Sequence, residues 1–326
     1  MTRRLRTAPR SPVGLIAMAA IVLAVASIAV TPALVSGSHF PATIALLVPV
    51  VLAAMASAPS IQSGGGGLDL SVGPLLGFVN VVAVGVLLPA GLGAGASIAV
   101  CLAIGAAAGA VNGVLIACLR LQPIVVTLGT YLLFTGWALV VMPQPQGNEP
   151  GWAAFLAGAW AGGYLPRSLL LLVAAIAVWL VLRRLGIARL ITGVGSDDRA
   201  AYTAGVNVTA VRIGAYALGG LIAALAGLAL TALIGSGDPT VGPQYTLEAV
   251  AAVALGGNSL AGGQGGMTGP VLGAVTLFLI QSLLSSLKVS SLWIQVVYGL
   301  VLLVALCLNS SLRDRLRTAT GTVSAA

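Results

Sequence analysis

Gly64-Gly65-Gly66-Gly67-Leu68-Asp69-Leu70-Ser71-Val72-Gly73 separates two apolar runs, Pro41–Ile61 before it and Val72–Pro89 after it. Four successive glycines allow backbone shapes that a helix forbids. An acidic residue between two such runs is costly in lipid and belongs at a cavity or in a protein interior. Two compatible roles stay open for this stretch. Asp69 or Ser71 caps the helix that begins at Val72, or Asp69 and Ser71, with Gly66 and Gly67 beside them, line a polar pathway. The glycines do not form a phosphate-binding loop, because no Gly-Lys-Ser/Thr follows.

The rest of the chain has the same character. Of 326 residues, 59% are hydrophobic and 7% are charged, against about 25% charged in a soluble domain. A mean hydropathy of +1.08 leaves no room for a sizeable water-facing domain. Ten runs read as spans: Val13–Val35, Pro41–Ile61, Val72–Pro89, Ala94–Leu119, Pro123–Met142, Ser168–Leu182, Val208–Ile234, Thr240–Gly257, Gly269–Leu287 and Ser291–Leu308. Ser168–Leu182 and Thr240–Gly257 are short for a full crossing. The expectation is an all-α integral membrane protein of about ten transmembrane helices with Gly-rich breaks, residues 1–326 forming one domain. The 43 glycines suit helix packing in lipid, where small residues let backbones approach.

Charge orients the chain. With the N-terminus inside, ten crossings leave 13 of the 15 basic residues on the cytoplasmic side, and only Arg167 and Lys288 outside. The cytoplasmic parts are then residues 1–12, 183–207 and 309–326, the last holding Arg313, Arg315 and Arg317. The net charge of +8 sits at the ends of apolar runs and not on one face, which excludes a nucleic-acid partner. Met1-Thr2-Arg3-Arg4-Leu5-Arg6 precedes an apolar stretch too long for a signal-peptide core, so the first span is expected to be retained. Cys101, Cys118 and Cys307 lie inside apolar runs and read as small core hydrophobes, without metal-ligand spacing. The outer segment Pro143–Arg167, with Glu149, Trp152, Trp160 and Tyr164, is expected at the membrane interface.

The longest polar stretch is Arg183–Asn207. Within it Ser196 or Asp197 can N-cap a short helix that Gly205 ends. Asn112 is the amide deep in its span, where the plain role is a helix–helix hydrogen bond. Glu248 precedes a second Gly-rich break at Gly256 and Gly257. It is either a favourable acid in the first turn of a short helix or a pathway residue. His39, the only histidine, reads as an interfacial residue. No catalytic pair, metal cluster or nucleophile–base arrangement is apparent. Gly73-Pro74-Leu75-Leu76-Gly77 echoes Gly269-Pro270-Val271-Leu272-Gly273, the kind of internal repeat found in transporters with broken helices. Lys288 is the single lysine, so no Gly-x-x-x-x-Gly-Lys-Ser/Thr motif exists anywhere.

Three motifs resemble the permease subunits of bacterial ATP-binding-cassette importers for monosaccharides, the ribose/xylose/galactose type. They are Gly66–Gly73, then Gln122-Pro123-Ile124-Val125-Val126-Thr127-Leu128-Gly129-Thr130, then Leu247–Val253 with Leu255–Leu260 and Gly262–Gly265. Gly195-Ser196-Asp197-Asp198-Arg199-Ala200-Ala201, followed by Gly205-Val206-Asn207-Val208, also fits. The resemblance implies that this segment is the coupling helix, with Gly195, Asp197, Asp198, Arg199, Ala200, Ala201 and Gly205 meeting an ATPase. Asp197 stands where the family usually has Asn, and Gly64–Gly67 is richer in glycine than its norm.

The resemblance implies a type II importer-like fold in the bacterial cytoplasmic (inner) membrane. It implies no cofactor on this chain, since ATP is bound by a partner subunit. The implied partners are a pair of cytoplasmic ATP-binding subunits, a second identical or related permease chain, and a periplasmic or lipid-anchored solute-binding protein. Thr127, inside the second motif, joins Asp69, Ser71, Asn112 and Glu248 as a pathway or helix-break residue. The competing expectation is an ion-coupled secondary transporter, which needs intramembrane carboxylates; Asp69 and Glu248 are the candidates. A scaffold without transport is the third reading, and the broken spans oppose it.

Overall fold

A segment must satisfy all of its own backbone polar groups to cross lipid, so apolar runs of this length become helices. In the computed structural model they do. The structure describes residues 12–304 apart from 38, 148, 149, 161, 162, 291, 295 and 302. The helices are α1 (Pro12–Val30), α2 (Phe40–Gln62), α3 (Val72–Val82), α4 (Ala94–Ala117), α5 (Pro123–Val141), α6 (Gly151–Ala157) and α7 (Leu169–Arg184). They continue with α8 (Ile187–Ser196), α9 (Asp198–Thr203), α10 (Val208–Ile234), α11 (Gln244–Leu255) and α12 (Thr268–Ser286). A short apolar helix follows at Leu292–Val301. No strand is present among the described residues.

Six helices are long and apolar enough to cross a membrane: α1, α2, α4, α5, α10 and α12. Counting α7 with α8, which bend by 75° at their junction, gives seven. The expected ten is not reached by this measure. The run Val72–Pro89 forms a helix only from Val72 to Leu87, with α3 continuing into a π-helical turn at Ala83–Leu87, and is short for a full crossing. Thr240–Gly257 yields only the 12-residue α11. Most of residues 1–12, the cluster Arg313–Arg317, Glu149 and the end of Ser291–Leu308 lie outside the described residues.

α2 and α10 form the centre, with 78% and 72% of their spanning windows buried, whereas α1 is 11% buried. α10 packs most extensively on α4 and next on α2 and α3. Glycine makes the α4–α10 contact possible. A β-carbon at Gly109 would meet the Tyr216 carbonyl, and one at Gly220 would meet the Gly105 carbonyl. In lipid, where tails are as apolar as leucine, such close backbone approach is what drives helix association.

The internal echo has a structural counterpart. Gly73 opens α3 against the Gly242 carbonyl, just before α11. Gly269 opens α12 against Gly256, just after α11. The two echoed segments therefore bracket α11 at its opposite ends.

Candidate functional site

The break between α2 and α3 brings most of the singled-out residues together. Gly64, Gly65 and Gly66 turn the chain with φ of 77°, 67° and 74°. Leu68–Ser71 then runs non-helical before α3 begins. Two of its carbonyls find donors on other helices. Thr127 Oγ1 of α5 donates to the Leu68 carbonyl at 3.3 Å, and Thr246 Oγ1 of α11 donates to the Leu70 carbonyl at 3.2 Å.

Asp69 Oδ1 accepts from the Ser71 amide at 2.9 Å and from Ser71 Oγ at 2.6 Å. Ser71 Oγ in turn accepts from Asn112 Nδ2 of α4 at 3.0 Å. Asp69, Ser71, Asn112, Thr127 and Thr246 are all buried, none more than 4% exposed. Unpaired backbone groups in a bilayer cost several kcal/mol each, so three helices are pinned around one short segment. Asp69 supports the start of α3 through Ser71, the residue that precedes the helix, and not through the free amides of the first turn.

The second break is built differently. α11 ends into Gly256 and Gly257, the latter at φ 77°. Asn258 then bridges the loop: its Oδ1 accepts from the Gly266 amide and its Nδ2 donates to the Gly266 carbonyl, both at 3.2 Å. Glu248 lies away from Asp69, just beyond the first turn of α11 and without a capping bond, so the first-turn role expected for it does not hold. Gly66 and Gly67 remain in the first break, Gly67 packed under the Ser60 carbonyl.

The stretch after α7 holds two helices where one was expected. Gly186, at φ 82°, turns the chain into α8. Ala188, Ile191 and Val194 of α8 are buried. α9 follows. Asp197 is its N-cap, with Oδ1 accepting from the Arg199 and Ala200 amides at 3.0 and 2.9 Å. At the other end Gly205, at φ 83°, donates to the Tyr202 carbonyl and Val206 donates to the Ala201 carbonyl. This pair of bonds is the Schellman closure. Arg212 of α10 pairs with Asp198 at 3.1 Å. None of the six residues of α9 is buried, and Tyr202 is 74% exposed. The outcome is a short helix locked at both ends with no residue buried.

The end of α8 and the two breaks also meet. A β-carbon at Gly195 would meet the Gln62 carbonyl at the end of α2. The Gly263 amide donates to that same carbonyl at 3.1 Å, and Ser196 Oγ donates to the Gly263 carbonyl at 2.8 Å. Sequence reasoning missed this junction, since its members lie far apart in the chain. It also missed Asn80, a fully buried amide in α3. Asn80 Nδ2 donates to Thr231 Oγ1 and to the Ser236 carbonyl, and its Oδ1 accepts from the Asp238 amide. The signal for Asn80, an amide inside an apolar run, is the one that singles out Asn112.

Broken helices around a buried polar junction, among helices long and apolar enough to cross a membrane, fit a multi-pass membrane permease. Residues 40–306 match the family described as branched-chain amino acid transport system / permease component, and the chain belongs to it. It is 36% identical over 255 residues to the ribose import permease protein of Escherichia coli (strain K12), covering 75% of this chain and 77% of that one. It is 30% identical over 294 residues to the fructose import permease protein of Rhizobium meliloti, covering 85% and 79%. It is 36% identical over 252 residues to the autoinducer 2 import system permease protein of Escherichia coli (strain K12 / DH10B), covering 76% and 72%. No solved structure matches the chain. The resemblance read from the three motifs agrees with these relatives.

Proposed function

We propose that the chain forms the membrane pathway of an ATP-driven importer for a small polar solute, a monosaccharide being the first choice because the relatives are named for ribose and fructose import. Two such chains, identical or related, enclose the path in a bacterial cytoplasmic membrane. A pair of cytoplasmic ATP-binding subunits powers it, and a periplasmic or lipid-anchored binding protein delivers the solute. Both termini and α9 lie in the cytoplasm. The observation that carries this reading is α9, capped by Asp197, closed at Gly205 and with none of its residues buried. A helix held this rigidly is suited to pass a push from a docked subunit to α10 through the Asp198–Arg212 pair. An ion-coupled carrier would use Asp69 or Glu248, and the Asp69 carboxylate is already engaged with Ser71.

The test uses the complex purified with its co-encoded partners. Ala200→Glu with Gly205→Glu is expected to leave membrane yield within about twofold and to lower solute-stimulated ATP hydrolysis at least about tenfold. Ala200→Glu alone, which leaves the Gly205 turn intact, should follow the same direction. An Arg189→Cys thiol in the same membranes should label only from the cytoplasmic side. Normal transport-linked hydrolysis in the double variant would remove α9 as the coupling element.

A further inference from the structure

A carboxylate within an apolar span is stable only where it meets a partner or a cavity. Among the described residues no hydrogen bond or ion pair reaches the carboxylate of Glu248. It borders two adjoining cavities instead, each of about 560 Å3, which share Gln244, Glu248, Gln281 and Ile294 in their walls. That size falls in the range of about 300–1,000 Å3 typical of small-molecule sites. Tyr298 Oη donates to Gln281 Oε1 at 2.7 Å, which fixes that amide and leaves its Nε2 without a protein partner among the described residues. Tyr131 of α5 adds an aromatic face on one side and Ser282 of α12 a hydroxyl on the other.

The cavity lies at the end of the molecule away from α9. Thr43, at the start of α2, lines it. Gln62, at the other end of α2, meets Gly195 and Gly263 beside α9. Those 19 residues of helix place the two roughly 30 Å apart. A carboxylate and two side-chain amides, with Tyr131 in the wall of one cavity, offer both acceptors and donors beside apolar surface. An uncharged polyhydroxylated ring has that complementary pattern of paired hydroxyls and C–H faces. A lipid tail would leave the carboxylate and the amides unpaired.

We propose that Gln244, Glu248 and Gln281 form a solute-binding site inside the permease, on the side where the binding protein releases its cargo, and that it takes a neutral monosaccharide by hydrogen bonds. The site rests on the import reading above and assigns it a place of contact. The closing experiment uses the full complex in proteoliposomes with D-ribose and D-fructose as probes, reading ATP-driven uptake and binding-protein-stimulated ATP hydrolysis together. Absence of uptake of both sugars by the parent complex overturns the import of these sugars and the site with it. With uptake established, Glu248→Gln and Gln281→Leu should each lower uptake at limiting sugar by about tenfold or more, since the first removes the charge of an acceptor and the second removes the amide that faces the sugar. Stimulated hydrolysis should stay within about twofold of the parent. Ser282→Cys, in a background lacking the other cysteines, should react with a polar thiol reagent more slowly when sugar is in excess. Unchanged uptake in both variants, or uptake and hydrolysis falling in parallel, would overturn the site.

Discussion

The break between α2 and α3 is held by side chains of other helices, whereas the break between α11 and α12 is closed by its own Asn258 and meets its neighbours through the backbone of Gly263. In the first, the carbonyls of Leu68 and Leu70 and the side chain of Ser71 draw their donors from α5, α11 and α4. In the second, Asn258 closes the loop on Gly266, eight residues away. A break held by other helices cannot move without moving them, and it therefore ties the positions of four helices to one another. A break closed by its own side chain keeps its shape whether or not the helices around it shift. The second break is also the one that touches α9's neighbour Ser196, through the Gly263 carbonyl. We propose that the difference divides labour between a fixed hub around Asp69 and a link at Asn258 whose position follows Ser196 and α9.

The largest expected effect comes from dismantling the hub. Asp69→Leu removes the acceptor of the Ser71 amide and hydroxyl in a buried setting where each orphaned group costs several kcal/mol. Assembled complex should fall severalfold or more. Asp69→Asn keeps an acceptor oxygen, so its yield should stay near the parent's. Yield of detergent-stable complex, set against uptake rate, checks this. Full assembly of Asp69→Leu with no transport would make Asp69 a pathway residue and abolish the contrast between the two breaks.

The self-held break should respond more weakly in assembly and more strongly in coupling. Asn258→Ala loses the bridge to Gly266, a change on the order of 1–3 kcal/mol for groups left unpaired. Complex yield should drop less than for Asp69→Leu, while the ratio of sugar moved to ATP hydrolysed should fall. A larger assembly defect in Asn258→Ala than in Asp69→Leu would reverse the assignment of hub and link.

Much of this architecture was legible in the sequence, for a physical reason. Lipid forces an apolar run to become a helix of matching length. The run Val208–Ile234 is α10 with the same bounds, and Pro41–Ile61 differs from α2 by one residue at each end. Asp197 and Gly205 were legible as caps because capping is local chemistry. Asn112, Ser71, Asp69 and Thr127 were each visible as polar residues in apolar surroundings. Their meeting was not, because Asn112 and Ser71 are 41 residues apart and Thr246 and Leu70 are 176 apart. α8 escaped notice because its apolar face, Ala188, Ile191 and Val194, is interleaved with Arg189 and Thr192 in a stretch read as polar. The π-helical turn at Ala83–Leu87 left no mark in a run of uniformly apolar residues.

The smallest expected effect gives the finest test of the hub. Thr127→Val and Thr246→Val each remove one hydroxyl donor from a carbonyl of the broken segment while keeping the side chain's shape. Interhelical side-chain hydrogen bonds in membranes average about 0.6 kcal/mol, so each single variant should lower thermal stability of the complex only slightly. Thr127 Oγ1 also donates to the Pro123 carbonyl of its own helix at 2.9 Å, closer than Leu68 at 3.3 Å. Much of its hydrogen bonding is therefore spent within α5, and Thr127→Val should be the milder of the two. The double variant is the informative one. The two hydroxyls reach carbonyls two residues apart on one short segment, so either bond alone restrains the same backbone. If the segment is a rigid hub, losing the first bond leaves the second to hold the geometry, and losing both should cost more than the sum of the single changes, by at least about 0.5 kcal/mol, the lower end of coupling for residues sharing a network. If the segment is flexible, each bond acts alone and the costs add. Additive costs in the double-mutant cycle would show that Leu68–Ser71 is not the fixed point against which the second break moves.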